Sequence, residues 1–546
     1  MRERWQKYKA REDKIELNRL TNLIHDEIRN FRASKFEKEV QKEYERNAVW
    51  NVAGRLKGSR NITKVPIHGK DGLHYKPEGK SAAIADCLED QFQANDTEDE
   101  FRDHYKLVRR EVHKFRNTEF ETSVPLVTSN EVRKIIKNLR PKKASGHDGV
   151  TNTIIKQLQC HCIHHLTTIY NSALNLQYFP ESWKRAQVIT FPKPGKDPKF
   201  PQNRRPISLL DCLGKIYERI LLDRLMMTVR GKNLVPEEQF GFMSGCSTTH
   251  QLLRLTEYIS SGFEMKQSTV ATFLDISKAY DTTWHTGLVY KLIKMEVPGD
   301  LVKIIKSFLA QRSFRVKMDG AYSEWRPMLA GVPQGSVLSP MLYNLYTSDL
   351  PRFSGTQVAM YADDICIYVK DKCAPFARAA VQRHLNIIDE WAKQWRITIN
   401  ANKTAAVIFS KKNKIKLSPL TLNNADIDYV ESHRYLGVDL QRRLNWTTHC
   451  TRIRGKAKGA LRSLGPLIRS RLPLSTKLLL FKTYIRPVMT YAAPAWAFIP
   501  KSSKKYLQAV QNKFLRIIGG YDYDTRTEQV CSENDHIGQS YQNPNH

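Results

Sequence analysis

Thr269-Val270-Ala271-Thr272-Phe273-Leu274-Asp275-Ile276-Ser277-Lys278-Ala279-Tyr280-Asp281 is the stretch on which the fold turns. Its β-rich opening reads as a buried strand that delivers Asp275 at its end, where the backbone turns. Val358-Ala359-Met360-Tyr361-Ala362-Asp363-Asp364-Ile365-Cys366-Ile367-Tyr368-Val369 has a related design. Two apolar strand-like segments flank adjacent aspartates, as a hairpin with the acid pair at its tip requires. Carboxylates held within a few ångströms repel, and unpaired ones take up protons. Buried strands ending in acids therefore call for a cation, and two Mg²⁺ ions remove the conflict.

A third segment lies between these two: Ala330-Gly331-Val332-Pro333-Gln334-Gly335-Ser336-Val337-Leu338-Ser339-Pro340. Glycines on both sides of a proline permit a tight backbone close to a ligand. Ser336 is expected to begin an apolar helix (Leu338, Met341, Leu342, Leu345) whose N-terminus faces phosphate or sugar.

The rest of the chain suits a nucleic-acid setting. Over 546 residues, Lys plus Arg number 87 against 55 Asp plus Glu, a net charge of +32. That excess points to a polyanionic partner, nucleic acid before a membrane surface, and away from an ordinary metabolic enzyme. The length exceeds one compact core. A content of 41% hydrophobic and 10% aromatic residues excludes wholesale disorder. Nine scattered cysteines suit a reducing compartment better than a disulfide framework. No signal peptide is visible behind Met1-Arg2-Glu3-Arg4-Trp5, and no apolar run approaches the roughly 20 residues that span a bilayer. No membrane partner is expected.

Leu17, Leu20, Leu23, Ile24, Ile28 and Phe31 recur at helical spacing, predicting one or two amphipathic helices that end before Gly54–Gly58. Asn61 to Lys80, rich in Gly, Pro, Lys and His, reads as an extended linker, and 81–93 as a short helix. The acidic segment from Asn95 to Phe120 gives no clear pattern. Thr128-Ser129-Asn130-Glu131 is a capping box ahead of Val132, Ile135, Ile136 and Leu139. Val188-Ile189-Thr190-Phe191 reads as a strand, helices alternate with short strands from 206 to 410, and 450–520 is helical and basic.

The three segments resemble motifs A, C and B of reverse transcriptases, in the versions carried by jockey-type, LINE-like non-LTR retrotransposons. The similarity extends in the expected order through Lys193-Pro194-Gly195-Lys196-Asp197-Pro198, Arg205-Pro206-Ile207-Ser208-Leu209-Leu210 and Gln239-Phe240-Gly241-Phe242. It continues through Lys403-Thr404, Tyr435-Leu436-Gly437-Val438, Leu444-Asn445-Trp446 and Gln511-Asn512-Lys513-Phe514-Leu515-Arg516. The resemblance implies an α+β right-hand polymerase (fingers, palm, thumb) with an antiparallel palm sheet and a helical N-terminal extension. Residues 1–125 are then that extension and linker, and 126–446 are fingers and palm, with the core domain about 174–442. Residues 447–525 are a helical thumb, and 526–546 an irregular tail.

The same resemblance implies RNA-directed DNA synthesis from dNTPs on an RNA template and DNA primer, with two Mg²⁺ ions per site and Mn²⁺ as a substitute. Asp275, Asp363 and Asp364 become the catalytic metal ligands, with the Ile276 carbonyl beside them. Tyr280 lies under the incoming sugar and excludes a 2′-hydroxyl. Gln334 and Gly335 line that pocket, Lys193 and Arg205 meet the triphosphate, and Lys403 donates a proton to departing pyrophosphate. A nuclear and cytoplasmic ribonucleoprotein location follows from the family alone, and the oligomeric state is left open.

Structural readings compete at several positions. Asp281 reads as structural, capping the next helix. Lys142 and Lys143 read equally as a solvated face or an RNA-contacting loop. Cys160-His161-Cys162, with His164 and His165, has the wrong spacing for a zinc knuckle and reads as helix. Trp391 and Trp395 read as packing residues before a Thr398–Phe409 hairpin. The basic 450–520 region reads as a thumb gripping the template–primer backbone. Four departures from the family pattern stand out: Arg204 for an aromatic residue, Met243-Ser244-Gly245-Cys246 for a segment with Arg and His, Ser145 for Pro, and Tyr361 for Phe. The fingers changes predict weaker template or nucleotide binding. Nothing in 1–130 resembles an endonuclease and no Cys/His knuckle follows the thumb, so a fragment, a truncated copy or a diverged reading frame is expected, with target nicking supplied elsewhere. The rival readings are an RNA-templated RNA polymerase or maturase-like protein, and a catalytically inert RNA-binding relic.

Overall fold

The computed structural model describes residues 2–45, 65–96, 98–121, 124–413, 415–470 and 472–521. The expected tail 526–546 and the Gly54–Gly58 boundary lie outside the described residues. The chain divides into two compact units, Asn61–Leu436 and Met1–Arg60 with Gly437–His546. No helix among the described residues is long and apolar enough to cross a membrane.

The Asn61–Leu436 unit mixes helix and sheet. Its central sheet has four antiparallel strands in the order Ala405–Phe409, Ser268–Asp275, Asp364–Asp371, Gln357–Tyr361. Residues 268–274 are all buried, because this strand is internal and covered on both faces. That is why its sequence runs without polar alternation. Val270 and Leu274 enter the main core with Ile365 and Ile367, while Phe273, on the alternate face, stacks on His433 at 4.5 Å. Helix Ala374–Gln394 packs against the sheet through residues that include Val381, Leu385 and Ile388.

Residues 398–409 do not form the expected hairpin. Ile399 bridges Ile276, and 405–409 pairs with 268–275. Trp391 and Trp395 are buried as packing residues, with the Lys291 ammonium over both rings at 5.2 and 3.8 Å.

A second sheet orders Arg204–Leu209, Arg185–Pro192, Arg312–Met318 and Ala321–Tyr322, with Arg326–Met328 also on the 312–318 strand. The 185–192 and 312–318 strands run parallel. Residues 65–80 of the stretch expected to be a linker belong here. Ile67–Gly69 and Gly72–His74 form a hairpin, and helix Pro77–Gln91 begins on its proline. Ile67, Ile84, Leu88 and Phe92 bury themselves against Val188, Phe314 and Val316. Lys80 pairs with Asp319 at 3.0 Å, and Arg326 pairs with Asp86 and Glu89.

The patternless 95–120 segment contains helix Arg102–Asn117, which buries Tyr105, Val108 and Val112. Thr128 caps helix Ser129–Asn138 by accepting from Glu131 N. The Glu131 side chain does not close the box; it pairs with Arg224 at 2.7 and 2.9 Å. Cys160 begins helix Cys160–Asn175, whose Ile163 is buried.

The other unit is mostly helical, with strand Val438–Gln441 as an exception. Helices Thr447–Ile468 and Lys501–Gly519 pack together, and Phe481 stacks on Phe514 at 4.4 Å. Arg11–Glu45 is one helix of 35 residues, preceded by Arg2–Tyr8. Its apolar spacing does not mark a buried face: Leu23, Ile24, Ile28 and Phe31 are exposed.

Candidate active site

Tyr361 pairs with Asp364 across a two-residue turn, so Ala362 and Asp363 form the hairpin tip. Ala362 adopts φ 57°, a left-handed conformation unfavourable for a residue with a Cβ. A buried side chain holds it there. Gln239 Oε1 accepts from Ala362 N and from Gly241 N, both at 2.8 Å. Phe240 N donates to Met360 O at 2.9 Å and Met360 N to Glu238 O at 3.0 Å, so the 238–241 segment is stitched along the hairpin's outer edge.

The neighbouring strand aligns the third acid. Asp364 is the ladder partner of Asp275. Asp363 and Asp364 are exposed at their surfaces, yet enough protein surrounds their carboxyls for burial to shift them. That burial, followed by the Asp363 and Asp275 charges, pushes the Asp364 carboxyl up to about 6. Asp363 is raised chiefly by burial and then by Asp275, with Arg205 opposing. Lys403 Nζ lies 3.1 Å from Asp275 Oδ2.

The donors are all oxygen, which matches a hard divalent cation. Ser277 N donates to Thr398 O and Asn400 N to Asp275 O, so the ladder on that side leaves the intervening Ile276 carbonyl unused. The Ile276 side chain is buried. Among the described residues, no three His, Cys, Asp or Glu side chains are already drawn into a closed metal-ligand cluster. Mutual repulsion and dehydration of the acids are the electrostatic condition that a bound cation relieves.

Cations gather beside the acids. The Lys193 pKa is lowered by burial first, then by the charges of Lys403 and Arg205. Lys193 Nζ also donates to Gln202 O at 3.0 Å, and Arg205 is exposed on the 204–209 strand. Gln334 O accepts from Ser208 N at 2.7 Å, fixing the 330–340 segment to the same strand. Gly335 has φ +126°, and a Cβ there falls 2.4 Å from Ser208 O, so only glycine fits. A groove of about 760 Å³ reaches Gly335 and is lined by Lys134, Lys143, Lys215 and Arg219 among others. Tyr280 stacks on Tyr343 with ring centroids 4.7 Å apart, and burial, then the Asp363 charge, raises its phenol pKa.

Residues 191–440 match the reverse transcriptase (RNA-dependent DNA polymerase) family. The chain is 33% identical over 496 residues to the RNA-directed DNA polymerase from mobile element jockey of Drosophila melanogaster, covering 88% of this chain and 53% of that protein. It is 31% identical over 544 residues to the probable RNA-directed DNA polymerase from transposon X-element of the same species, covering 96% and 58%. The chain is similar to jockey-type reverse transcriptases over most of its length. It spans 53% to 58% of the length of these two relatives.

Several features of this chain differ from their sequence reading. Helix Ser339–Tyr346 does not offer its N-terminus to phosphate. The buried Glu218 Oε2 occupies that position, accepting from Ser336 Oγ and Val337 N at 2.6 Å and from Leu338 N at 3.3 Å. Asp281 does not cap the helix His285–Lys294, whose N-cap is Trp284; it accepts from two glutamine side chains. Arg204, the departure nearest Arg205, is buried and donates to Thr190 and Pro198. It braces the strand pair from within. Gln239, Glu218 and Gln91 escaped the sequence reading as individual residues, since each acts on a partner more than a hundred positions away.

Proposed function

We propose that this chain is an RNA-directed DNA polymerase that extends a DNA primer 3′-end with dNTPs on an RNA template. One observation carries the proposal: Asp275, Asp363 and Asp364 converge at one end of a four-stranded sheet, beside the interacting cations Lys193, Arg205 and Lys403. A dNTP needs both signs of charge, because its triphosphate is anionic and its reaction is metal-assisted. Asp275, Asp363, Asp364 and the Ile276 carbonyl would hold two Mg²⁺ ions, or Mn²⁺ in their place, which would supply charge stabilisation at the attacking 3′-oxygen and the leaving pyrophosphate.

The chain's own residues do the rest. Lys193 as a point charge and Arg205 as a planar fork hold the triphosphate oxygens. Lys403 stays beside Asp275 until substrate arrives, then donates a proton from Nζ to pyrophosphate. Tyr280 forms a rigid floor under the sugar, and Gln334 and Gly335 line the pocket. In this reading the four-stranded sheet belongs to the palm within 126–446, and the basic helices of 447–525 are a thumb that binds the template–primer backbone. In the parent element the activity serves target-primed synthesis in the nucleus, reached from a cytoplasmic ribonucleoprotein.

Purified protein with poly(rA)/oligo(dT), labelled dTTP and Mg²⁺ tests the proposal. Primer extension is expected. RNA binding with no extension under any divalent ion favours the inert relic instead.

A further inference from the structure

Asp281 is 4% exposed, a depth at which a carboxylate has to be paired. Its side-chain partners are two amides. Gln91 Nε2 donates to Oδ2 at 2.6 Å, and Gln334 Nε2 donates to Oδ1 at 2.8 Å. An ionised carboxylate only accepts, so it turns the NH₂ end of each amide toward itself. Burial pushes the Asp281 carboxyl up to about 6, with the Gln334 and Gln91 bonds opposing, so it stays ionised above neutral pH. Gln334 is half-buried beside exposed Gly335. With one Nε2 hydrogen committed to Asp281, the amide is fixed in orientation, with its acceptor oxygen turned away from Asp281.

The backbone repeats this arrangement. Phe92 O accepts from both Leu329 N and Ala330 N, at 3.1 and 2.9 Å. Gly331 N donates to Thr283 O and Val332 N to Tyr280 O. Gly331 has φ +87°, and a Cβ there sits 2.5 Å from Asp281 O. The loop carrying Gln334 is thus clamped between the end of helix 77–91 and the segment after Asp275. Gln91 lies outside the 191–440 family match.

We propose that Gln91 and Asp281 are positioning residues for Gln334, which they hold with its carboxamide oxygen free to accept from the incoming nucleotide. This assignment rests on the polymerase reading above. It makes helix Pro77–Gln91 part of nucleotide selection, at a residue that never touches substrate.

Gln91→Met keeps side-chain length and removes the donor. The expected result is a KM for dTTP raised about tenfold, with kcat within about twofold and RNA affinity unchanged. In a Gln334→Met background, the same change should add less than about twofold, because the residue it acts through is gone. Asp281→Asn, nearly isosteric, must turn one of the two glutamines around and should also raise the dTTP KM. A KM unchanged in Gln91→Met and Asp281→Asn, or a full effect of Gln91→Met in the Gln334→Met background, overturns the assignment while leaving the polymerase intact. A wild-type chain that incorporates nothing overturns the polymerase reading and this assignment with it.

Discussion

Asp364 stands opposite Asp275 as its antiparallel ladder partner, with Asp363 one residue away at the hairpin tip. The register of two buried strands thus fixes the spacing of the acids. Chain segments far apart in sequence set their charges against one another.

Burial of Asp364, with that repulsion added, predicts a pH-dependent stability. The Asp364 carboxyl is raised from 3.8 to about 6, so between those values the folded form binds a proton that the unfolded form has released. Stability from this group therefore falls as pH rises through that window, and the penalty is complete above it. Asp364→Asn should raise the unfolding midpoint of metal-free protein by about 1–2 °C at pH 7.5, after allowing for the solvent exposure of the group. The gain should vanish near pH 4, and Mg²⁺ should stabilise the wild type more than the variant. Thermal melts in EDTA and in Mg²⁺ check this; equal melts of the two proteins at every pH count against it.

Gln239 should matter to catalysis without touching substrate. Gln239→Leu fills similar space but strips the acceptor from Ala362 N and Gly241 N. A buried unsatisfied amide costs about 1–3 kcal/mol, so denaturant titration should show a loss of about 2–4 kcal/mol. The Mg²⁺ concentration for half-maximal incorporation should also rise severalfold as the tip loses its brace. A stability loss with unchanged Mg²⁺ dependence would confine Gln239 to folding.

The Lys403–Asp275 pair is largely solvent-exposed, and such pairs contribute about 0–1 kcal/mol. Lys403→Met should therefore leave the melting temperature nearly unchanged. Incorporation should drop about 10²-fold, the size expected for loss of a general acid. A rate within about twofold of wild type would remove Lys403 from the chemistry.

Tyr280 should act through its ring. Its hydroxyl is buried without a hydrogen-bond partner among the described residues, and its ring is fixed by stacking on Tyr343. Tyr280→Phe should preserve discrimination between dTTP and UTP, whereas Tyr280→Ala should relax it by at least about tenfold. Competition assays with the two nucleotides measure this directly, and unchanged selectivity in Tyr280→Ala would end the gate assignment.

The sequence made the strands and their terminal acids legible for a physical reason. A strand covered on both faces writes an unbroken apolar run, and an acid ending such a run is conspicuous. The 67–74 hairpin was illegible because its strands are three residues long, too short for alternation to register. In the 11–45 helix, apolar residues recur at helical spacing yet remain exposed, so periodicity alone did not identify a core. The supports of the site left the faintest trace. Gln91 and Asp281 are 190 positions apart, and Glu218 reaches Ser336 from 118 away. Such hydrogen bonds depend on tertiary approach and have no local pattern to read.

The central claim is that the carboxylates meeting at 275, 363 and 364 carry out metal-assisted nucleotide addition. Its most direct test is Mg²⁺-dependent dTTP incorporation on poly(rA)/oligo(dT) by Asp363→Asn beside wild type, with RNA affinity measured on the same preparations. The account predicts extension by wild type, none by the variant, and dissociation constants within about twofold of each other. Undiminished incorporation by Asp363→Asn would contradict it.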